Sequence, residues 1–404
     1  VRRQPLAQRL LQHGPHAPLR GHPSSHHVGV SQDDHPDSVL GPGHDVIAFS
    51  QPEAIGVDVD VALPALAEIG IEDDAHVRVG VRIVKAGTLR HEAGDDVRIV
   101  KPLLVELLGL AYEPVEDAAT WHPDVSVHKI LDRETGRHLA TFYADLFPRE
   151  GKFGHAAAFD LEPPRLDEGQ VPVTAIAANF TKPTADSPSL LKHDAVVTLF
   201  HEFGHVLHNS LGHTRLVRFT GFNTEWDFVE APSQIMEHWC WTPSVLQRFA
   251  RHHETGEPIP ADLVGQLAEA RDLHVALFNL RQISFGLLDM AFHGTGEDKD
   301  LHRICRETSE IAGFPFHEET FYPASFGHLF GYDAGYYGYL WSRVFGDDMF
   351  SRFEEEGVLD PAVGTAYRRH VLEPGGSKDA DQLLRDFLGR DPNQEAFLRH
   401  LGLG

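Results

Sequence analysis

The sequence predicts a mainly helical protein with a small antiparallel β-sheet, and two observations carry that prediction. Over roughly the last 300 residues, apolar side chains recur at spacings of three and four, the period of a helix that packs one face against a core. Between residues 125 and 180 the period shortens to two, as it does in strands. An N-terminal stretch of different character precedes both parts.

Residues 1–97 have a composition that disfavours a packed core. Phe49 is their only aromatic residue, and seven of the 28 histidines of the chain fall within the first 44 positions. A segment with so few large apolar side chains buries little surface, so we predict disorder or weak packing up to about Ser50. The odd composition and the initial valine lead to the hypothesis that this segment is the translation of a shifted reading frame or of a misplaced start.

The strands are predicted on either side of a polar turn. Residues 125–131 and 138–147 are separated by the turn sequence DRETG, which predicts a hairpin. A further strand is predicted over residues 173–180, with the sequence VTAIAANF. Because this strand lies just ahead of the helix described next, we expect its edge to be open for pairing with an extended peptide.

The helix predicted around Thr198–His208, with the sequence TLFHEFGHVLH, carries the strongest chemical pattern of the chain. His201 and His205 are four residues apart and share a helical face, so each can direct one imidazole nitrogen at a common zinc ion. Glu202 beside them can reach a water molecule bound there. The pattern is typical of metal-assisted hydrolysis of a peptide bond. The core-facing stripe of the helix consists of Val196, Phe200, Phe203 and Leu207.

A catalytic zinc ion normally has three protein ligands, so a third must come from elsewhere in the chain. The spacing HExxHxxGxxH is absent, because His208 and Leu211 stand where that pattern has glycine and histidine. A second helix within Asn223–Trp239 offers acidic side chains instead. The candidates are Glu225, Asp227, Glu230 and Glu237.

Glu230 is the preferred third ligand among these acidic residues. It shares a helical face with Ser233 and Glu237, and the apolar residues on either side of it indicate partial burial. A buried carboxylate without a partner is costly, and a bound cation removes that cost.

Two later helices are predicted from the spacing of leucines. Residues 263–280 have apolar side chains at intervals of three and four, which predicts one long amphipathic helix. A shorter helix is predicted over residues 383–388 and is ended by Gly389.

Two neighbouring motifs, HEFGHVLH and then DFVEAPSQ, resemble the thimet oligopeptidase family of zinc peptidases, which is of the gluzincin type. The resemblance extends from about residue 97 to the C-terminus. Other segments are similar to family segments and occur in the family's order. They are FYADLFPREGKFGHAA at 142–157, FGYDAGYYGYLWS at 330–342 and EPGGSKDADQLLRDFLGRDPNQEAFL at 373–398.

This resemblance implies a zincin-type metallopeptidase catalytic lobe over residues 98–404. It implies a single zinc ion per chain, with His201, His205 and Glu230 as the metal ligands. Glu202 is implied as the general base.

A tyrosine-rich segment follows later in the chain, where four of the eight tyrosines fall between residues 332 and 339. The family resemblance implies a mobile, glycine-rich loop here, with His328 and Tyr339 as catalytic residues and Tyr332 and Tyr336 as substrate-binding residues. Only one glycine precedes the first of these tyrosines, where relatives commonly have two. The shorter hinge leaves the placement of His328 open.

Composition limits the classes of function. The net charge of −25 argues against nucleic-acid binding. Cys240 and Cys305 form no motif or paired framework, which is typical of a reducing cytosol. No uninterrupted run of about 18 apolar residues occurs, so membrane insertion is not indicated and a cytoplasmic location is expected. The oligomeric state is left open.

These observations predict a zinc-dependent endopeptidase that hydrolyses short peptides, and two alternatives stay open. One is a peptidyl-dipeptidase of the same family, which releases dipeptides from the C-terminus of its substrate. The other is a non-catalytic fragment that binds zinc or peptides, because relatives carry a helical N-terminal region that walls the substrate channel and residues 1–97 do not resemble it.

Overall fold

The structure is a computed structural model that describes residues 99–403, apart from positions 166, 185–187, 297 and 318. The predictions for residues 1–97 lie outside the described residues. Within the described part the fold is mainly helical, with one five-stranded sheet packed against the helices. The mainly helical class predicted from the sequence is confirmed.

The sheet is mixed, and the prediction of an antiparallel sheet is wrong in one pairing. Its strands are β1 (Leu110–Pro114), β2 (Ser126–Asp132), β3 (His138–Asp145), β4 (Ala157–Glu162) and β5 (Val173–Ala177), in the order β1-β2-β3-β5-β4. The predicted hairpin is confirmed as the antiparallel pair β2 and β3. However, β3 and β5 run parallel. The chain crosses to the outer position as β4 and then returns as β5 between β4 and β3, which makes that one pairing parallel.

The strand predicted over residues 173–180 is β5, and it is internal. It pairs with β3 on one side and with β4 on the other, so the expectation that its edge would be open is wrong. β4 lies at the margin of the sheet instead, and β5 is its only strand partner among the described residues. The sequence analysis did not identify β4, because its six residues contain just two large apolar side chains.

Helix α1 (Lys101–Leu108) precedes the sheet, and helix α2 (His193–Leu211) packs across it. Phe203 of α2 makes an edge-to-face contact with Phe142 of β3, with the ring centroids 5.4 Å apart. Fifteen of the 19 residues of α2 are buried, so the helix is enclosed on nearly all sides. The predicted core-facing stripe of α2 is buried in full.

The remaining α-helices lie C-terminal to α2. They are α3 (Ala231–Glu237), α4 (Pro243–Phe249), α5 (Ala261–Asp272), α6 (Val275–His293), α7 (Leu301–Ile311), α8 (Gly338–Glu356), α9 (Pro361–Tyr367), α10 (Ala380–Leu388) and α11 (Glu395–His400). Helix α10 ends at Gly389, whose φ of 70° lies in the left-handed region that favours glycine, as predicted.

The single helix predicted over residues 263–280 is wrong, because the chain breaks there into α5 and α6. Leu273 is extended and His274 has a positive φ of 62°. The break reorients the apolar stripe. Leu267 on α5 is buried, whereas Leu277 on α6 is 41% exposed. The regular spacing of the leucines continues through the break at residues 273 and 274, so the sequence pattern does not show that the chain changes direction there.

Helix α6 exposes an apolar row to solvent within the described structure. Its exposed large apolar side chains are Leu277, Phe278, Leu280, Ile283, Leu287 and Met290. Its packed side instead buries Ser284, Gly286, Leu288 and Asp289. By length and composition alone α6 is sufficient to cross a membrane, which is weak support for a span because single apolar helices of other proteins pass the same test.

Candidate active site

A close crossing of α2 and α3 creates the site. Gly204 lies at the crossing, where a Cβ atom would stand 2.4 Å from both the carbonyl oxygen of Pro232 and the Cα atom of Ser233. A larger residue would have to displace backbone atoms. The missing side chain therefore lets the start of α3 approach the middle of α2, where His201 and His205 lie.

The three side chains predicted as metal ligands converge at this crossing. Oε2 of Glu230, the residue just before α3, lies 3.2 Å from Nε2 of His201 and 3.1 Å from Nε2 of His205. Ligands bonded at about 2.0–2.1 Å to a tetrahedral zinc ion are about 3.3 Å apart. One possible ligand atom from each residue lies within 4.8 Å of the others, so these three side chains of the described structure could hold one metal ion.

Unsatisfied polar atoms at the same point indicate that a cation fits there. His201, His205 and Glu230 are at most 2% exposed. Within the described structure, neither ring nitrogen of His205 makes a hydrogen bond of good geometry, nor does Oε1 of Glu230. Buried polar atoms are costly unless they are paired, and a metal ion would satisfy Nε2 of His205 and the carboxylate of Glu230. Ser233 holds the carboxylate in place, since its Oγ donates to Oε2 of Glu230 at 2.9 Å.

The charges of the group also favour a cation. Burial alone would raise the pKa of Glu230, but His205 and His201 hold the pKa of that carboxyl far below its usual range. Burial would likewise lower the pKa of His201, yet Glu230 and Glu237 raise it to about 10. The carboxylates therefore attract a positive charge to this point, which in the metal-free protein is a proton on the imidazole.

Glu237, weighed from the sequence as a possible ligand, contacts a ligand instead. Its Oε1 accepts a hydrogen bond from Nδ1 of His201 at 2.8 Å, and its Oε2 accepts one from Nη1 of Arg343 at 2.6 Å. The sequence analysis did not identify Arg343, which lies 106 residues further along the chain than Glu237. The seven-residue interval between Glu230 and Glu237 was the available signal that both face α2.

Glu202 lies beside the three converging side chains and beneath the margin of the sheet. It is fully buried. Burial raises the pKa of Glu202 to about 7, while His201, His205 and the backbone of Ala158 on β4 act in the opposite direction. A carboxyl group with a pKa near neutrality is suited to taking up a proton and returning it. Glu202 thus lies near both predicted histidine ligands and near strand β4, and its role as general base stays a prediction.

His328 and the three predicted tyrosines form one buried cluster. Tyr332, Tyr336 and Tyr339 are at most 7% exposed and pack together. His328 lies in a 3₁₀ turn, and its Nε2 is 3.1 Å from the hydroxyl oxygen of Tyr339. Despite the shorter hinge, the structure thus brings His328 to Tyr339. The catalytic roles of both residues stay predictions.

The tyrosines differ in what they face. Burial is the main cause that raises the pKa of Tyr332 and of Tyr339, and the charge of Glu230 contributes, so both hydroxyls lie near that carboxylate. Tyr336 points toward α6, where its hydroxyl donates to Oε1 of Gln282 at 2.9 Å. The hydroxyls stay protonated near neutrality, since burial raises all three pKa values above the usual range.

Asp289 of α6 holds the tyrosine segment in place, and the sequence analysis did not identify it. Its fully buried carboxylate accepts hydrogen bonds from the backbone N–H groups of Ala334 at 3.0 Å and Tyr336 at 2.9 Å. Ala334 has a φ of 57°, a strained value for a residue other than glycine. The available signal was a lone acidic residue within the apolar sequence LLDMAF.

Known proteins similar to this chain are peptidases. Thimet-like oligopeptidase of Dictyostelium discoideum is 42% identical over 311 residues, which cover 74% of this chain and 46% of that relative. Oligopeptidase A of Escherichia coli K12 is 39% identical over 307 residues, with 74% and 45% covered. Dipeptidyl carboxypeptidase of the same bacterium is 36% identical over 308 residues, again with 74% and 45% covered.

The chain spans about half the length of the curated relatives that it matches. The family model described as Peptidase family M3 matches residues 98–403, well over half of the 404 residues. All the side chains that converge at the crossing of α2 and α3 lie inside that match. The chain belongs to peptidase family M3.

Proposed function

We propose that this chain carries the catalytic lobe of a zinc-dependent oligopeptidase with a zincin-type fold. The observation that carries the proposal is the convergence of His201, His205 and Glu230 at tetrahedral spacing, with the buried carboxyl of Glu202 beside them. Imidazole and carboxylate ligands suit zinc, and the family is one of metallopeptidases. Short peptides are the proposed substrates.

Glu202 is the proposed general base. A zinc ion held by the three ligands would supply Lewis acidity and would activate the attacking water. The carboxylate of Glu202 accepts a proton as attack on the scissile carbonyl begins, and it returns that proton to the nitrogen of the departing amine. Between these two steps the carboxyl of Glu202 carries the proton. Its burial favours this neutral form, because burial disfavours the charged carboxylate.

The marginal strand β4 is the proposed contact for the substrate backbone. Its outer edge has no strand partner among the described residues, and the backbone of Ala158 lies near Glu202. An extended peptide that pairs with this edge is bound through its main chain, so side-chain preferences are broad. We therefore propose that β4, and not the strand expected at 173–180, pairs with the extended peptide.

Tyr339 is the proposed donor to the oxygen of the scissile carbonyl as negative charge develops. Its neutral hydroxyl can donate without adding charge to the site, and His328 orients that hydroxyl from 3.1 Å away. Tyr332, stacked on the Tyr339 ring with centroids 5.4 Å apart, is proposed to contact the substrate, as is Tyr336. A cytoplasmic location and the absence of nucleic-acid and membrane partners complete the proposal.

A quenched fluorescent peptide of about ten residues tests this function. We expect cleavage by the 404-residue chain, loss of cleavage when a chelator removes zinc, and recovery when zinc is added back. Glu202→Gln should lower the rate by at least about a hundredfold while zinc stays bound. Glu354→Gln, a change of the same kind at an exposed position, serves as the control and should leave the rate unchanged. Equal rates in all samples would contradict the proposal.

The cleavage pattern separates the two enzymatic alternatives. The relatives include proteins named oligopeptidase A and dipeptidyl carboxypeptidase, so the family contains both types. Mass spectrometry of the products decides between them, because an endopeptidase cuts inside the peptide whereas a peptidyl-dipeptidase releases only C-terminal dipeptides. Zinc binding without any cleavage would instead support the remaining alternative, a non-catalytic fragment that binds zinc or peptides.

A further inference from the structure

The two histidines of the ligand group differ in how the protein holds them. Nδ1 of His201 donates to Glu237, whereas Nδ1 of His205 makes no hydrogen bond within the described structure. A hydrogen bond at one ring nitrogen fixes the orientation of the ring and leaves the other nitrogen free to bind metal. Of the two histidines, His201 is therefore the one whose orientation a neighbouring side chain fixes.

Glu237 needs a partner of its own to hold His201. Its side chain is only 10% exposed. A second carboxylate, that of Glu230, contacts the other nitrogen of the same imidazole ring of His201. Two buried anions repel each other, and an uncompensated one tends to take up a proton or turn toward solvent. Arg343 prevents both by donating Nη1 to Oε2 of Glu237 at 2.6 Å.

Arg343 is in turn fixed from a second side. Its Nε lies 3.0 Å from Oδ1 of Asp347, one turn further along α8, and Asp347 also accepts a hydrogen bond from Nε2 of His238 at 2.7 Å. The guanidinium thus bridges Glu237 on α3 and Asp347 on α8. Its planar group can make both contacts at once, which a lysine cannot reproduce with the same geometry.

We propose that Arg343 is a positioning residue that sets His201 for metal binding by holding Glu237. The inference rests on the proposed function. It extends that function to a residue that touches neither the metal nor the substrate. The same helix carries Tyr339 in its first turn, four residues before Arg343, so the contact also joins the ligand group to the helix of the proposed carbonyl donor.

Zinc affinity measured by competition with a chromophoric chelator tests the inference on the full 404-residue chain. Arg343→Met should raise the zinc dissociation constant by about ten- to a hundredfold, the range typical for residues that orient a ligand. Arg343→Lys should give a smaller rise. In the cobalt-substituted protein, Arg343→Met should also shift the visible absorption bands, because the geometry around His201 changes.

Arg390→Met is the matched control. Arg390 forms a two-point ion pair, at 2.6 and 3.0 Å, with Asp348. Asp348 lies on α8, the helix of Arg343, but the ion pair does not include Glu237. Removal of Arg390 costs an ion pair on α8 without loosening His201. The zinc dissociation constant and the cobalt spectrum of Arg390→Met should therefore match those of the wild-type chain.

A double variant shows whether Arg343 acts through Glu237. Glu237→Gln alone should weaken zinc binding about as much as Arg343→Met, and the double change should add less than about a further twofold. Losses that multiply would overturn the inference, as would wild-type affinity in Arg343→Met. If Arg343→Met does not fold, wild-type affinity and spectrum in Arg343→Lys would overturn it. A wild-type chain that binds no zinc would overturn the proposed function together with the inference.

Discussion

Helices α2 and α6 are both 19 residues long, yet they differ in the side chains that they bury and expose. Besides its apolar stripe, α2 buries four imidazoles and the carboxyl of Glu202, whereas α6 leaves Leu280 and Leu287 at least 40% exposed. Burial of unpaired polar atoms opposes folding, and exposure of an apolar row forgoes stabilisation. Close packing alone would favour apolar residues on that face of α2, so its buried polar side chains are consistent with the proposed metal site.

The largest effect is expected when the predicted third metal ligand, which lies beside the buried polar face of α2, is changed. Glu230→Gln removes the negative charge that the two histidines share, so the zinc dissociation constant should rise by more than roughly a hundredfold, beyond the usual range for residues that only orient a ligand. Equilibrium dialysis with metal analysis measures it. Glu354→Gln provides the control at an exposed site. Unchanged affinity in Glu230→Gln would show that the third ligand is another residue.

The second prediction separates the two helices that form the site. In Gly204→Ala the new methyl group meets backbone atoms of Pro232 and Ser233 at 2.4 Å, so α3 must move away from α2. We expect a loss of about 3 kcal/mol in the free energy of unfolding and a weaker zinc site. Urea denaturation of the metal-free protein measures the first effect.

Gly265→Ala on α5 is the matched control for this change. A Cβ atom at Gly265 has open space around it, and alanine favours a helix interior more than glycine does. The substitution should therefore raise the free energy of unfolding by about 0.5–1 kcal/mol. A similar response at both positions would mean that α2 and α3 do not cross as closely as described.

Elements set by local spacing could be predicted from the sequence. The β2–β3 hairpin, the buried stripe of α2 and the end of α10 at Gly389 each depend on residues within about twenty positions of one another. The parallel pairing of β3 with β5 and the marginal position of β4 depend on which distant strands meet. The period of a strand carries no information about its neighbours in the sheet.

The same limit applies to the site. His201 and His205 could be grouped because one helix places them, and Glu230 because its own helix and its burial singled it out. Arg343 and Asp289 could not, since their roles arise from partners 106 residues and at least 45 residues away. Long-range partners of this kind leave almost no trace in a single sequence.

The third prediction concerns Asp289, the buried carboxylate of α6. Asp289→Asn keeps the size of the side chain but leaves one acceptor oxygen where the carboxylate has two, each bound to a backbone N–H of the tyrosine segment. We expect a loss of about 2 kcal/mol in the free energy of unfolding and faster proteolysis between residues 330 and 337. Asp298→Asn, at an exposed position, is the control. Equal proteolysis of both variants would contradict the anchoring role of Asp289.

The smallest effect on stability is expected from substitutions on the exposed face of α6. The double variant Leu280→Gln and Leu287→Gln should change the free energy of unfolding by less than about 0.5 kcal/mol, because both side chains already contact solvent. Binding of a hydrophobic fluorescent dye should decrease, since the continuous apolar row is interrupted. Leu288→Gln, at the adjacent and fully buried position, should instead cost about 3 kcal/mol or more.

The contrast between the double variant and Leu288→Gln is the decisive measurement, because all three positions carry the same Leu→Gln change and differ in the face of α6 that they alter. If the double variant destabilises the chain as strongly as Leu288→Gln does, the apolar row is covered in solution by atoms outside the described residues. In that case α6 would bury apolar side chains on both faces, and its difference from α2 would lie only in the kind of side chain buried.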